Sequence, residues 1–266
     1  MSEAILKALE EKELFIIDAD GTLYVGNTPT PKAREFLKLL DKMGKKHMIM
    51  TNNSSYSTYQ HAARMSRILG YRVRRSGLLV STNVAVKYIK DNGFKSVHAL
   101  GVPAFKDELK RNGIKLSLNY PELVVIAFDK TLTYRKLSII TKLIMDGIPY
   151  IATHPDILCP VNAGYIPDIG SILAFVKTAT GKEPQAIVGK PNRMMVDYAL
   201  TIAGTGVERS VLFGDRLYTD IKMANEVGMT SVLVLTGETK NPNEGKYRPD
   251  FVINTFKDIL TNWGSD

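Results

Sequence analysis

Four apolar, β-branched runs, at residues 14–17, 47–50, 186–188 and 210–213, each break off into a short polar segment. A run of that kind reads as a strand buried on both faces of a parallel sheet. The segments that follow are Asp18-Ala19-Asp20-Gly21-Thr22, Thr51-Asn52-Asn53, Gly189-Lys190-Pro191, and Gly214-Asp215 with Asp220. In an open α/β sheet, ligands bind in the crevice beyond the carboxyl ends of the strands. The pattern therefore predicts that four strand ends deliver carboxylates, a hydroxyl and a lysine to one place.

Strand and helix alternate along the chain, which argues for a parallel sheet with crossover helices. Helices are expected at 31–42, with Pro31 in the first turn, at 58–69, at 193–203 and at 220–227. Further strands are expected at 231–235 and 251–254. The middle of the chain repeats the alternation, with strands at 96–100, 123–128 and 150–152 and helices at 103–111, 134–145 and 171–178. None of these inner strands is read as ending in a carboxylate-hydroxyl-lysine set. Residues 80–183 thus read as a second α/β domain inserted into a first, made of 1–79 and 184–266. Two closely spaced crossings suit a lid over a site.

Composition narrows the function classes. The net charge of +8 invites a nucleic-acid reading, but Lys and Arg are mixed with Asp and Glu along the chain. The densest cluster, Arg72, Arg74 and Arg75, has no interleaved aromatic ladder. A generally basic surface that draws in an anionic substrate is the favoured reading, and no nucleic-acid partner is expected. No apolar stretch approaches the roughly 20 residues that span a bilayer, so no membrane association is expected. Residues 1–12 are charged and helix-favouring and lack the apolar core of a signal peptide. The single cysteine, Cys159, rules out an internal disulfide, and a cytoplasmic location is the expectation.

Asp18 and Asp20 are carboxylates two residues apart. Two such groups can divide labour, one ionised and one protonated, and a carboxylate can attack phosphorus to give an aspartyl phosphate. Taken alone, the segment reads equally as a surface turn after a strand. Lys190 alone reads as a turn lysine, and Asp220 alone as a helix N-cap. The four segments together, in this order and spacing, resemble the motifs of the haloacid dehalogenase (HAD) superfamily of phosphohydrolases. The extended forms Asp18-Ala19-Asp20-Gly21-Thr22-Leu23-Tyr24 and Gly214-Asp215-Arg216-Leu217-Tyr218-Thr219-Asp220 resemble its NagD-like branch.

The resemblance implies a Rossmann-like α/β core with an inserted α/β cap of the C2 type. It implies Asp18 as nucleophile and Asp20 as the group that protonates the leaving oxygen and then activates water. Thr51 and the backbone around Asn52 and Asn53 would hold phosphate oxygens, and Lys190 would offset their charge. Mg²⁺ would be held by Asp18, the backbone carbonyl of Asp20 and Asp215, with Asp220 supporting the metal shell. The substrate would be a small phosphate ester: a nucleoside monophosphate, a sugar, glycerol or glycolate phosphate, or pyridoxal phosphate. Relatives often dimerise through the cap, so a homodimer of that kind is the matching expectation. A dehalogenase of the same superfamily is a rival; Asp20 argues against it, because a leaving halide needs no proton. A basic nucleic-acid-binding α/β protein without catalysis is the other.

Of the four histidines, His47, His61 and His98 read as structural or exposed. His154 and Asp156 lie in the segment 153–160, which resembles the family's cap segment reaching toward the leaving group. Both are candidate substrate contacts. Cys159 in the same segment reads as a bystander.

Overall fold

The computed structural model describes residues 3–161, 164–261 and 263. Met1 and Ser2, at the head of the helix-favouring stretch 1–12, lie outside the described residues, as does the Pro160 side chain. The chain forms two compact units: Met1–Thr51 with Ala62–Leu79 and Met195–Asp266, and Asn52–His61 with Val80–Met194.

The larger unit carries a six-stranded sheet in the order Phe251–Ile253, Thr230–Val234, Ser210–Gly214, Leu14–Asp18, Lys46–Thr51, Leu78–Val80. Leu14–Asp18 is central and pairs in parallel with Ser210–Gly214 on one side and Lys46–Thr51 on the other. Every residue of Leu14–Asp18 and Ser210–Gly214 is buried, as continuous apolar runs require when both faces are covered. Phe15, Phe36, Phe213, Phe256 and Trp263 pack together beneath this sheet, with the Phe36 and Phe256 rings stacked at 4.6 Å. Full burial of each such side chain contributes about 1.5–3 kcal/mol. The helix Ala33–Lys42 turns Ala33, Phe36, Leu37 and Leu40 into that core. It starts two residues later than the sequence predicts, because Lys32 takes a left-handed conformation (φ 67°) and Pro31 stays in the preceding turn.

The smaller unit has a five-stranded parallel sheet in the order Ala186–Ile187, Tyr150–Ala152, Leu123–Ile126, Ser96–Leu100, Lys115–Leu116. Its core gathers Val124, Ile126, Phe128, Ile140, Ile144, Tyr150, Ile169, Ile172 and Val176. The run at 186–188 therefore does not join the central sheet with the other three; its strand pairs with Tyr150–Ala152 at the edge of the smaller sheet. The helix expected at 171–178 runs from Ile169 to Thr180, since Asp168 accepts a bond from the Ile169 N–H (2.7 Å) and caps it. A hairpin, Leu158–Val161 with Gly164–Pro167, has no counterpart among the predicted elements.

Candidate active site

In the larger unit, three sequence-predicted carboxylates come together. Asp18, Asp215 and Asp220 are all buried, and one oxygen from each lies within 4.8 Å of the others. Asp18 closes its strand, and Asp215 follows the end of the neighbouring one. Asp220 lies inside a turn of π-helix, Leu217–Ile221, rather than capping the helix that starts at Lys222. Its Oδ2 accepts from the Thr219 hydroxyl (3.2 Å) and the Arg216 N–H (3.4 Å), and so binds back to the turn that carries it.

The backbone is shaped around Asp215. A Cβ on Gly21 (φ +94°) would collide with the Asp215 carboxylate, and so would one on Gly237. Asp215 Oδ2 accepts from the Glu238 N–H (2.7 Å), and the Thr236 hydroxyl donates to the Gly21 carbonyl (2.6 Å). Thus the turns after Leu14–Asp18 and Thr230–Val234 close on one carboxylate. Two unit charges about 4 Å apart repel by about 4 kcal/mol at an effective dielectric near 20. Three buried carboxylates at this range call for a cation, and an all-oxygen donor set suits a hard divalent ion.

Asp20 is held differently. The Tyr24 hydroxyl donates to Asp20 Oδ2 (3.1 Å), and Arg64 Nη1 donates to the Tyr24 oxygen (3.2 Å). Tyr24 is fully buried, and burial together with the Asp20 charge pushes its pKa well above the usual phenol range. Thr51 ends the strand Lys46–Thr51 and is buried.

The other predicted residues belong to the smaller unit. The Asn52 side chain brackets the Lys190 backbone: its Oδ1 accepts from the Lys190 N–H (2.8 Å) and its Nδ2 donates to the Lys190 carbonyl (3.0 Å). The same Nδ2 reaches Asp156 Oδ2 (3.2 Å), and Ser81 donates to the Asn52 carbonyl (2.6 Å). Lys190 is buried. Gly189 makes this approach feasible, since a Cβ there would strike the Thr153 carbonyl and the Asn52 amide. Asn53 spends its side-chain oxygen locally, on the Ser55 N–H (3.0 Å) and hydroxyl (2.7 Å). His154 is 1% exposed, its ring set between Asp156 (Nδ1 to Oδ2, 3.2 Å) and Asp168 (Nε2 to Oδ1, 3.7 Å).

Some functional-looking groups went unpredicted. Contrary to the reading of the inner strands, Leu123–Ile126 is followed by a carboxylate, lysine and hydroxyl, Asp129-Lys130-Thr131. Asp129 accepts from Thr131 and from Lys136 Nζ (2.7 Å). Burial acts to raise its pKa, but these donors prevail and hold it below the ordinary value. The Tyr24–Arg64 pair was also missed. Tyr24 sits inside the first motif, but nothing in sequence ties it to a residue forty positions away. Of the remaining histidines, His47 meets the Tyr71 hydroxyl (3.1 Å), and His61 the Asn53 carbonyl (2.6 Å). His98 is half-buried, and burial lowers its pKa. Cys159 is half-buried beside the smaller unit's core. Among the described residues, no helix is long and apolar enough to cross a membrane.

Residues 15–115 match the haloacid dehalogenase-like hydrolase family, and residues 187–259 a second HAD-hydrolase-like family. The chain is 31% identical over 249 residues to the sugar-phosphatase AraL of Bacillus subtilis, covering 92% of this chain and 90% of the relative. The crystal structure of a 4-nitrophenylphosphatase from Thermotoga maritima superposes with a TM-score of 0.91 at 38% identity, over 96% of this chain and 98% of that one. NagD from E. coli K-12 superposes at 0.85 with 25% identity, over 92% and 96%. The chain belongs to the haloacid dehalogenase-like hydrolases, in their NagD-like phosphatase branch.

Proposed function

We propose that the protein hydrolyses small phosphomonoesters with Mg²⁺, through an aspartyl phosphate on Asp18. The observation that carries this is the buried triad of Asp18, Asp215 and Asp220, with oxygens within 4.8 Å of one another. In this reading Asp18, Asp215 and the Asp20 carbonyl hold the ion, and Asp220 steadies that set. Bound there, Mg²⁺ offsets the repulsion between the phosphate and the carboxylate that attacks it.

The chain's own groups do the rest. Asp18 attacks phosphorus as the bond to the ester oxygen breaks. Asp20 gives that oxygen its proton, then takes one from the water that displaces Asp18. Thr51 and the backbone at Asn52 and Asn53 hold phosphate oxygens, and Lys190 supplies positive charge. The segment 153–160, with His154 and Asp156, selects the leaving group. The bond from Asn52 to Asp156 supports this reading, since it ties that segment to the backbone of Lys190. Residues 1–79 and 184–266 act as catalytic core and 80–183 as cap, although the compact units divide the chain at other points.

The relative named a sugar phosphatase and the neighbour named a 4-nitrophenylphosphatase support a small ester as substrate. The test is a panel of sugar, nucleoside, glycerol and aryl phosphates assayed with Mg²⁺ and with excess chelator. Turnover of at least one ester, abolished by chelator and restored by Mg²⁺, is expected. Full turnover in chelator would sink the metal assignment, and no turnover of any ester would sink the substrate class.

A further inference from the structure

We propose that Tyr24 and Arg64 form a positioning relay that fixes which oxygen of Asp20 carries the proton transferred to the leaving group. The inference rests on the role given to Asp20 above and deepens it. Its basis is a chain of three side chains within the larger unit. Arg64 Nη1 donates to the Tyr24 oxygen (3.2 Å), and the Tyr24 hydroxyl donates to Asp20 Oδ2 (3.1 Å).

The direction of these bonds is fixed by chemistry. A guanidinium has donors and no acceptor, and it stays charged at every working pH. The Tyr24 oxygen must therefore accept from Arg64. A phenol has a single hydrogen, which leaves it to be given to Asp20. With Oδ2 engaged as an acceptor, the proton that Asp20 passes on sits on the other oxygen, Oδ1. A carboxyl held at one oxygen also loses its freedom to rotate and exchange the two.

The relay is itself anchored. Arg64 Nη2 donates to the Gly26 carbonyl (2.9 Å), and the guanidinium carbon lies 5.1 Å from the centre of the Tyr24 ring, within cation–π range. Tyr24 is fully buried and pairs with Pro29 in the short hairpin of Tyr24–Val25 and Thr28–Pro29. Arg64 stands on the helix Thr58–Leu69, so that helix and the hairpin both fix the hydroxyl beside Asp20. Neither Tyr24 nor Arg64 has a place among the nucleophile, metal and phosphate contacts. Orientation is their task, and a group misplaced by about 1 Å can cost on the order of a hundredfold in rate.

The test compares Tyr24→Phe, Arg64→Met and Asp20→Asn with the parent chain, all with Mg²⁺. An alkyl ester, glycerol phosphate, needs its leaving oxygen protonated; 4-nitrophenyl phosphate does not. In Tyr24→Phe, kcat/KM for the alkyl ester should fall about tenfold or more, and for the aryl ester less than about twofold, because general acid help of roughly 10²–10⁴ is at stake only for the former. Arg64→Met should follow the same pattern more weakly. Inhibition of Tyr24→Phe by inorganic phosphate should match the parent, and the variant should still unfold in one cooperative transition despite the two lost hydrogen bonds, which separates orientation from damage to the fold. Equal losses on both esters, or none, in a protein whose Asp20→Asn form is inactive on the alkyl ester would overturn the relay alone. An Asp20→Asn protein that still turns over the alkyl ester would overturn the role of Asp20, and the relay with it.

Discussion

At the residue scale, the two aspartates of the first motif have different surroundings. Asp18 is buried in a cluster of carboxylates, whereas Asp20 is gripped by a phenol. Asp18→Asn should lower turnover of every ester at least about a thousandfold, since no other carboxylate in the first motif can replace the nucleophile. Steady-state rates, with the mass of the variant followed over time, check this; a near-parent rate at unchanged mass would refute the covalent route. These residues were legible in the sequence because the motif fixes their spacing along one strand and turn. What holds them was not: Arg64 reaches Tyr24 from another helix, and only the fold brings it there.

At the scale of elements, loops rather than side chains shape the carboxylate cluster. The turn at Gly237 lies against Asp215, leaving no room for a methyl group. Gly237→Ala should push the carboxylate aside and raise the Mg²⁺ concentration for half-maximal activity about 10–100-fold, as for lost second-layer support of a metal ligand. A Mg²⁺ titration of the rate measures it, and an unchanged midpoint would show that Asp215 does not set metal affinity. Strand positions were read well where apolar runs are long, as at Leu14–Asp18 and Ser210–Gly214. They were read less well where a run is short. Ala186–Ile187 has two residues, and its composition cannot say which of two parallel sheets it edges. The Leu217–Ile221 turn was missed because widening a helix by one residue leaves no mark in apolar periodicity.

For the whole molecule, each of the two compact units has buried apolar side chains of its own. In the larger, Phe36→Ala should cost about 3–5 kcal/mol, because it leaves a cavity among stacked rings; denaturant unfolding reports it. In the smaller, Asp129 has a depressed pKa in the folded state. Such a group stabilises at pH values above the unfolded carboxylate's, and that contribution is lost as pH falls through the lower folded value. Asp129→Asn should therefore lower Tm at pH 7 and converge with the parent only as pH falls through the depressed folded value, beneath the ordinary carboxylate near about 4. A constant gap in Tm across that range would assign the effect to shape instead of charge. The α/β class with parallel sheets was legible from strand and helix alternation alone. Which segments each unit collects was not, because Asn52–His61 joins the smaller one through contacts distant in sequence.

That grouping limits how the protein could be recombined with its relatives. Swapping residues 80–183 as a cassette would import a foreign Asp156 while keeping the host's Asn52 and Lys190, which Asn52 clasps at 2.8 and 3.0 Å. The foreign piece would also have to supply an edge for the host's Ala186–Ile187 strand, which pairs with Tyr150–Ala152. Chimaeras that carry 52–61 and 80–194 together keep this joinery in one parent's hands. They should yield soluble, active hybrids more often than those cut at the apparent insertion points, so the natural unit of exchange is a discontinuous one.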